Sequence, residues 1–392
     1  MSLIKQHILL CPGPVNVASN IFHSMFKHIG HREDEFSELL DSINGKLLDL
    51  FEIKKKDAYY PVLITGSGTA ANESVLSSIV GKRHILIISN GEFGERLVKI
   101  SKIHNRNTHA IVFPWGEAMN MERIEKYLKS HTVDIVAMVH HETSTGMLNP
   151  VERVGRLTRK YKTKFFVDCV SSAGAEVILP EKWNITFCST GTGKAISSLP
   201  GLGIIVGKRS AFRALKTEKS KTAYLNLYNL YHYSNKVKQT PNTPAVHLFY
   251  ALDQALTNIF EVGLVDWRLQ IAARAKILRD GMTELGLQFL LPAEHMSSSV
   301  TTVYVPSHIS PDALRAKLKG RSIIIYSGKG PIAKTVFQVG NIGVLHDSHL
   351  KLFLRSLGEA ISPLEVRVKK QLASERKILL SHLRLPRPTA HI

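Results

Sequence analysis

Cysteine is scarce in this chain. Its three residues, Cys11, Cys169 and Cys188, show neither disulfide nor zinc spacing, which excludes the small disulfide-stapled and zinc-bound classes. They fit a reduced, cytoplasmic protein. Long apolar runs are missing too: none reaches the ~18 residues that a membrane-spanning helix needs, so no membrane partner is expected. The opening Met1-Ser2-Leu3-Ile4-Lys5-Gln6-His7 lacks the charged-then-apolar layout of a secretory leader. Acidic residues are in deficit, 32 Asp and Glu against 51 Lys and Arg, for a formal charge of +19 at pH 7. Such a balance invites a nucleic-acid reading, but the basic residues are spread along the chain rather than gathered in one module. The charge therefore reads as a basic enzyme surface, suited to anionic substrates. What is present is ordinary globular composition. With 392 residues, 44% of them hydrophobic, the chain is long enough for two domains.

Short apolar runs alternate with helical patterns. Strands are predicted at Tyr60 to Thr65, His84 to Asn90, Ile111 to Phe113, Ile135 to His140, Phe165 to Val170, Ile185 to Ser189 and Gly203 to Val206. Between them, stretches such as Ala70 to Val80 and Val151 to Tyr161 carry apolar residues at helical spacing. This alternation predicts an α/β fold with a mostly parallel central sheet, helices on both faces and ligands at the strands' carboxyl ends. After about residue 250 the pattern changes: helical stretches His247 to Phe260 and Trp267 to Leu287 precede strands at Val300 to Val305 and Ile323 to Tyr326, a smaller α+β domain. The expected division is an N-terminal arm at 1–22, a large domain at 23–250, a small domain at 251–364 and a basic tail at 365–392. The tail reads as solvated or frayed, with a basic amphipathic helix as the alternative.

Three local features carry chemistry. Lys194 closes Phe187-Cys188-Ser189-Thr190-Gly191-Thr192-Gly193-Lys194, after a predicted buried strand. It is not a P-loop lysine, because that motif needs glycine where Cys188 stands and a hydroxyl residue where Ala195 stands. Asp168 ends the apolar run Lys164-Phe165-Phe166-Val167; a loop-bonding Asp is the plain alternative. Gly66-Ser67-Gly68-Thr69 follows a strand and opens a helix, where free amides suit a phosphate, although an ordinary capping turn reads the same. One amine, one strand-end carboxylate and one anion-cradling turn are what a pyridoxal phosphate enzyme requires. The run His140-His141-Glu142 is not expected to bind a metal, since adjacent strand residues point to opposite faces.

Together these pieces resemble the class V aminotransferases of fold type I, from about residue 8 to 362. Cys11-Pro12-Gly13-Pro14-Val15-Asn16 and Gly30-His31-Arg32 are similar to that family's opening segment and His-Arg turn. Thr145-Gly146-Met147-Leu148-Asn149-Pro150, Ile325-Tyr326-Ser327-Gly328-Lys329 and Val339-Gly340-Asn341-Ile342-Gly343 look most like its 2-aminoethylphosphonate–pyruvate branch. The resemblance implies Lys194 as the Schiff-base lysine and Asp168 as partner of the cofactor's pyridine nitrogen. It places Ser67, Gly68 and Thr69 on the phosphate, Phe93 stacked on the ring and Thr143 near its phenolic oxygen. It further implies a homodimer in which Thr243 reaches the neighbouring subunit's phosphate.

Two residues depart from the family pattern. Gln338 stands where an arginine clamps the substrate's anion, and a neutral amide cannot replace a bidentate guanidinium. Arg32, Lys329 or Lys334 would have to take over, or the substrate is less anionic. Gly193 stands where a larger polar residue is common. The expected activity is transfer of an amino group from 2-aminoethylphosphonate or a similar small amine to pyruvate. The alternatives are alanine– or serine–glyoxylate exchange, a biosynthetic reaction on a less anionic amine, and a non-catalytic partner or nucleic-acid binder with a basic tail.

Overall fold

The computed structural model describes residues 6–79, 83–218 and 220–362, so the expected basic tail lies outside the described residues. Seven strands form the central sheet: β1 (Tyr59–Thr65), β2 (Ile85–Ser89), β3 (Thr108–Val112), β4 (Ile135–Val139), β5 (Lys164–Asp168), β6 (Phe187–Gly191) and β7 (Leu202–Lys208). Their order is β1-β7-β6-β5-β4-β2-β3, with parallel pairing throughout except that β7 runs antiparallel to both its neighbours.

The near-continuous apolar runs have a direct cause: both faces of the sheet are covered. Leu86, Ile88, Val136, Met138, Phe165 and Val167 face one core, shared with Phe36 and Phe249. Their neighbours Ile85, Ile87, Ile135, Ala137 and Phe166 face the other, closed by Phe212 and Tyr231. β3 is the exception. As the edge strand it leaves His109, Ala110 and Val112 exposed, so its first residues carry no apolar pattern and it begins before the predicted Ile111.

On the first face, helix α1 (Asp34–Leu50) packs against α6 (Val246–Val262), where the Phe36 and Phe249 rings lie 5.3 Å apart and tilted by 55°. Phe249 is fully buried. Phe249→Ala is expected to cost about 3–5 kcal/mol, read as a lower urea midpoint with unchanged slope. The division expected at 250/251 falls inside α6, which buries Phe249, Leu252 and Leu256 in the large core.

The other helices used below are α2 (Gly68–Ser78), α3 (Glu92–His104), α4 (Met121–Ser130) and α5 (Val151–Lys160), followed beyond α6 by α7 (Leu264–Glu284), α8 (Pro311–Lys319) and α9 (Asp347–Ile361). The last three surround a small antiparallel sheet of β8 (Val300–Tyr304), β10 (Val336–Gly340) and β9 (Tyr326–Ser327), in that order. The single strand predicted at Ile323 to Tyr326 is two: Tyr326–Ser327 joins this sheet, while Ile323–Ile324 pairs in parallel with Ile8–Leu9. The start of the chain is thereby tied to its C-terminal part. No described helix is long and apolar enough to cross a membrane.

Candidate active site

The features singled out in the sequence meet at the carboxyl ends of β5 and β6. Asp168 is the last residue of β5, and Lys194 follows β6 by three residues. A cleft of about 310 Å³ opens there, lined by Gly13, Ser67, Gly68, Thr69, Phe93, Arg96, Val170, Lys194 and the Pro200-Gly201-Leu202 turn. Asp168 lies behind Val170 and is almost fully buried.

Asp168 is held by two donors. Val170 N donates to Oδ1 at 2.8 Å, and Asn72 Nδ2, from α2, donates to Oδ2 at 2.6 Å. Ser189 Oγ on β6 in turn donates to Asn72 Oδ1 at 2.5 Å, fixing which way the amide faces. Burial pushes the Asp168 carboxyl up, opposed by those two hydrogen bonds and by the charges of Arg96 and Lys194. A buried carboxylate with one donor on each oxygen keeps lone pairs for a cationic N–H, which is what a protonated pyridine nitrogen offers.

Lys194 is half-buried in the cleft wall, and its desolvation lowers the amine to about 8, with Cys11 raising it and Lys329 lowering it further. Nζ donates to Pro12 O at 2.7 Å. Gly13 makes room for it: its backbone is left-handed (φ +140°), and any Cβ there would stand 2.7 Å from Nζ. Gly193, one of the two departures, has a steric explanation, since a side chain would come within 2.9 Å of Pro200 Cβ.

The phosphate cradle is the N-terminus of α2. Ser67 takes the N-cap position without a side-chain cap bond, leaving the first amides to a ligand. A Cβ on Gly68 would lie 2.5 Å from Val170 Cγ2, so only glycine lets the chain pass there. Arg96 adds a cation that the sequence reading missed. Its Nη1 lies 3.5 Å from Thr69 Oγ1, its Nη2 donates to Glu92 Oε1 at 2.7 Å, and its guanidinium sits 4.6 Å from the Phe93 ring centre. The missed signal was available, for Phe93 and Arg96 are one helical turn apart. Together, the lowered amine, the buried carboxylate and the uncapped helix end fit pyridoxal phosphate.

Around this centre, Glu142 proves to be a helix anchor. Its buried carboxylate accepts from the Phe93 and Gly94 amides at 3.3 and 3.0 Å, and so sets the start of α3 and the place of Phe93. Thr143 Oγ1 donates to Ser171 Oγ at 2.5 Å. Gln338 does not line the cleft. On the central strand of the small sheet, its Nε2 donates to Thr143 O at 2.6 Å and to Thr302 Oγ1 at 3.1 Å. Of the three substitute cations, Lys329 comes nearest, 5.5 Å from the Phe93 ring centre and 3.4 Å from Glu92 Oε1. Lys334 is exposed. Arg32 and Thr243 are also exposed and outside the cleft of their own chain: Arg32 donates to Gln239 Oε1 at 3.1 Å, and Thr243 lies in a shallow groove with Tyr224 and Pro244.

A family model described as aminotransferase class-V matches residues 18–342 of the chain. An uncharacterized aminotransferase of Methanocaldococcus jannaschii is 31% identical over 93% of this chain and 95% of its own. The 2-aminoethylphosphonate–pyruvate transaminase of Phocaeicola vulgatus is 30% identical over 87% of this chain and 95% of its own. Among solved structures, an alanine–glyoxylate aminotransferase from Nostoc sp. superposes with a TM-score of 0.87 at 26% identity, covering 92% of this chain and 96% of that one.

Proposed function

The chain belongs to the class V aminotransferases, a family that uses pyridoxal phosphate, and from that premise we propose that it carries the amino group of 2-aminoethylphosphonate, or a similar small amine, to pyruvate by a ping-pong exchange. The observation that carries this reading is that Lys194 and the uncapped start of α2 line one cleft, while Asp168, buried two residues before cleft-lining Val170, is tied to α2 through Asn72. Bound there, the cofactor supplies an electron sink for charge developing on the donor carbon. The chain's own groups do the rest. Lys194 Nζ, lowered to about 8, takes and returns the proton at the donor carbon. Asp168 keeps a cation in place beside it. Ser67, Gly68 and Thr69, with Arg96, hold the phosphate, and the Phe93 ring covers one side of the cleft. Thr143, whose hydroxyl donates to Ser171 Oγ, is read as the partner of the ring's phenolic oxygen. Thr243 and Arg32, exposed here, act across a homodimer contact.

A second reading is favoured by Gln338: it is uncharged and its amide is committed to Thr143 O and Thr302 Oγ1, so this position supplies no guanidinium for the donor's anion. A less anionic amine is then the substrate, and alanine or serine with glyoxylate are further pairings. A panel of donors (2-aminoethylphosphonate, alanine, serine, neutral amines) against pyruvate and glyoxylate separates these readings. Inertness of the phosphonate donor beside turnover of a neutral amine rejects the first pairing. Gln338→Arg is expected to raise kcat/KM for the phosphonate donor about tenfold or more, by adding a charge-assisted contact.

Cofactor loading has a predictable pH dependence. The free amine is the nucleophile, so the rate at which cofactor-free protein gains its ~400 nm band is expected to rise through about pH 8 and then level off. An ordinary lysine amine would still be gaining reactivity near pH 10.

A further inference from the structure

A second concave site lies at the opposite end of the central sheet. Lys164 opens β5, Lys208 closes the antiparallel β7, and Thr186 stands just before β6, so three strand ends meet at one rim. Their backbones are bonded side by side, Lys208 N to Thr186 O at 3.0 Å and Thr186 N to Phe165 O at 2.7 Å. They line, with Arg159, Lys162 and Thr163, an open hollow of about 340 Å³. Lys164 and Asp168 are the two ends of one strand, so this hollow is about 13 Å from the carboxylate of the candidate active site at ~3.3 Å per residue.

Four cations and no carboxylate line it. None of the four forms a salt bridge among the described residues. The carboxylates that act on Lys164 are already engaged: Glu218 pairs with Arg83, and Asp134 accepts from His84 N. Arg159 is oriented by donating to Lys182 O at 2.7 Å, which leaves its charge uncompensated. Burial holds the Lys164 and Lys208 amines below the usual lysine range, with Arg83 and Arg159 respectively adding to the effect. An independent sign comes from Thr163. It is 7% exposed, and its buried Oγ1 has no hydrogen-bond partner, although buried hydroxyls are nearly always satisfied.

We propose that this hollow binds a small phosphorylated anion, held by Lys164, Lys208, Arg159 and the Thr163 hydroxyl. An anion there would compensate these three cations, with Lys162 adding its field from the rim, and would give the Thr163 hydroxyl its missing partner once that side chain turns toward the hollow. The size favours a small molecule: open hollows of this volume fit compact ligands, whereas nucleic acid needs an extended positive track.

The test is calorimetric titration of the full chain loaded with one equivalent of pyridoxal phosphate and freed of excess, so that the cradle at α2 is filled and no free cofactor competes for the hollow. Inorganic pyrophosphate and a nucleoside diphosphate are the probes. One site is expected, weakening as salt is raised. Lys164→Gln with Lys208→Gln is expected to weaken it about tenfold or more, with the ~400 nm band and donor turnover kept. Lys162→Glu, on the exposed rim and safe for folding, should weaken binding severalfold. Tighter binding of the nucleotide than of pyrophosphate assigns a nucleotide ligand; equal binding assigns the phosphates alone. Absence of binding by either probe at millimolar concentration overturns the proposal. So does binding unchanged by Lys162→Glu or by the folded double variant.

Discussion

Replacing Lys194 by alanine is expected to lower kcat on the order of 10⁴-fold, because one amine serves both as nucleophile and as proton carrier. Both roles depend on its surroundings. Burial brings the amine down to about 8, so near neutral pH a useful fraction is unprotonated. The carbonyl of Pro12 receives its hydrogen bond, and Gly13 gives it the volume it occupies. The variant should also lack the ~400 nm band while keeping its far-ultraviolet circular dichroism, since alanine removes a half-buried amine whose one hydrogen bond among the described residues is to a backbone carbonyl. Small primary amines added to the buffer are expected to restore part of the rate, because they supply the missing proton carrier. Lys194→Arg should not be rescued, for the guanidinium fills the space and stays protonated. Turnover by Lys194→Ala within tenfold of the native rate would remove this residue from the mechanism.

Much of this site is legible in the sequence because its parts are local. A strand that is buried on both faces leaves an uninterrupted apolar run, as in Ile85–Ser89 and Ile135–Val139, and a polar residue where such a run stops is conspicuous. Asp168, Lys194 and the Gly66 turn are all of that kind. Edge strand β3 was legible only from Ile111 onward, because three of its five residues face solvent. Residues defined by tertiary contact were harder. Asn72 meets Asp168 across 96 residues of chain, and nothing around Asn72 announces a partner. Glu142 looked like part of a His-His-Glu cluster, yet its carboxylate belongs to the start of α3. Gln338 could be read as a lost anion clamp from its position alone. That its amide joins the small sheet to the Thr143 loop is a matter of packing, which single-sequence spacing does not encode.

The conservative change Asp168→Asn is expected to lower kcat about 10²- to 10³-fold while leaving cofactor-free stability equal or higher, a pair of effects that separates a functional carboxylate from a structural one. The amide keeps the shape of the side chain. Its oxygen can still accept from Val170 N, but its NH₂ would then face Asn72 Nδ2, donor against donor. Asn72 can relieve this by turning over: its oxygen then accepts from residue 168, and its NH₂ meets the Ser189 hydroxyl, which can accept instead of donate. The relay therefore survives with its directions reversed, and what is lost is the charge. That loss works in opposite directions on folding and on catalysis. Because the folded protein raises the Asp168 carboxyl above its ordinary value, it binds this proton more tightly than the unfolded chain does. Ionisation at this site therefore weakens the fold as pH rises through the raised value, and asparagine removes the penalty at neutral pH. Catalysis needs the charge, since a neutral amide holds a protonated ring nitrogen weakly and leaves the developing negative charge without its sink. Thermal unfolding of the cofactor-free variant should thus occur at or above the native midpoint, and the stabilisation gained on adding cofactor should shrink. A variant that lost stability and activity together, with cofactor stabilisation intact, would mark Asp168 as a packing residue and shift the search for the ring's partner elsewhere in the cleft.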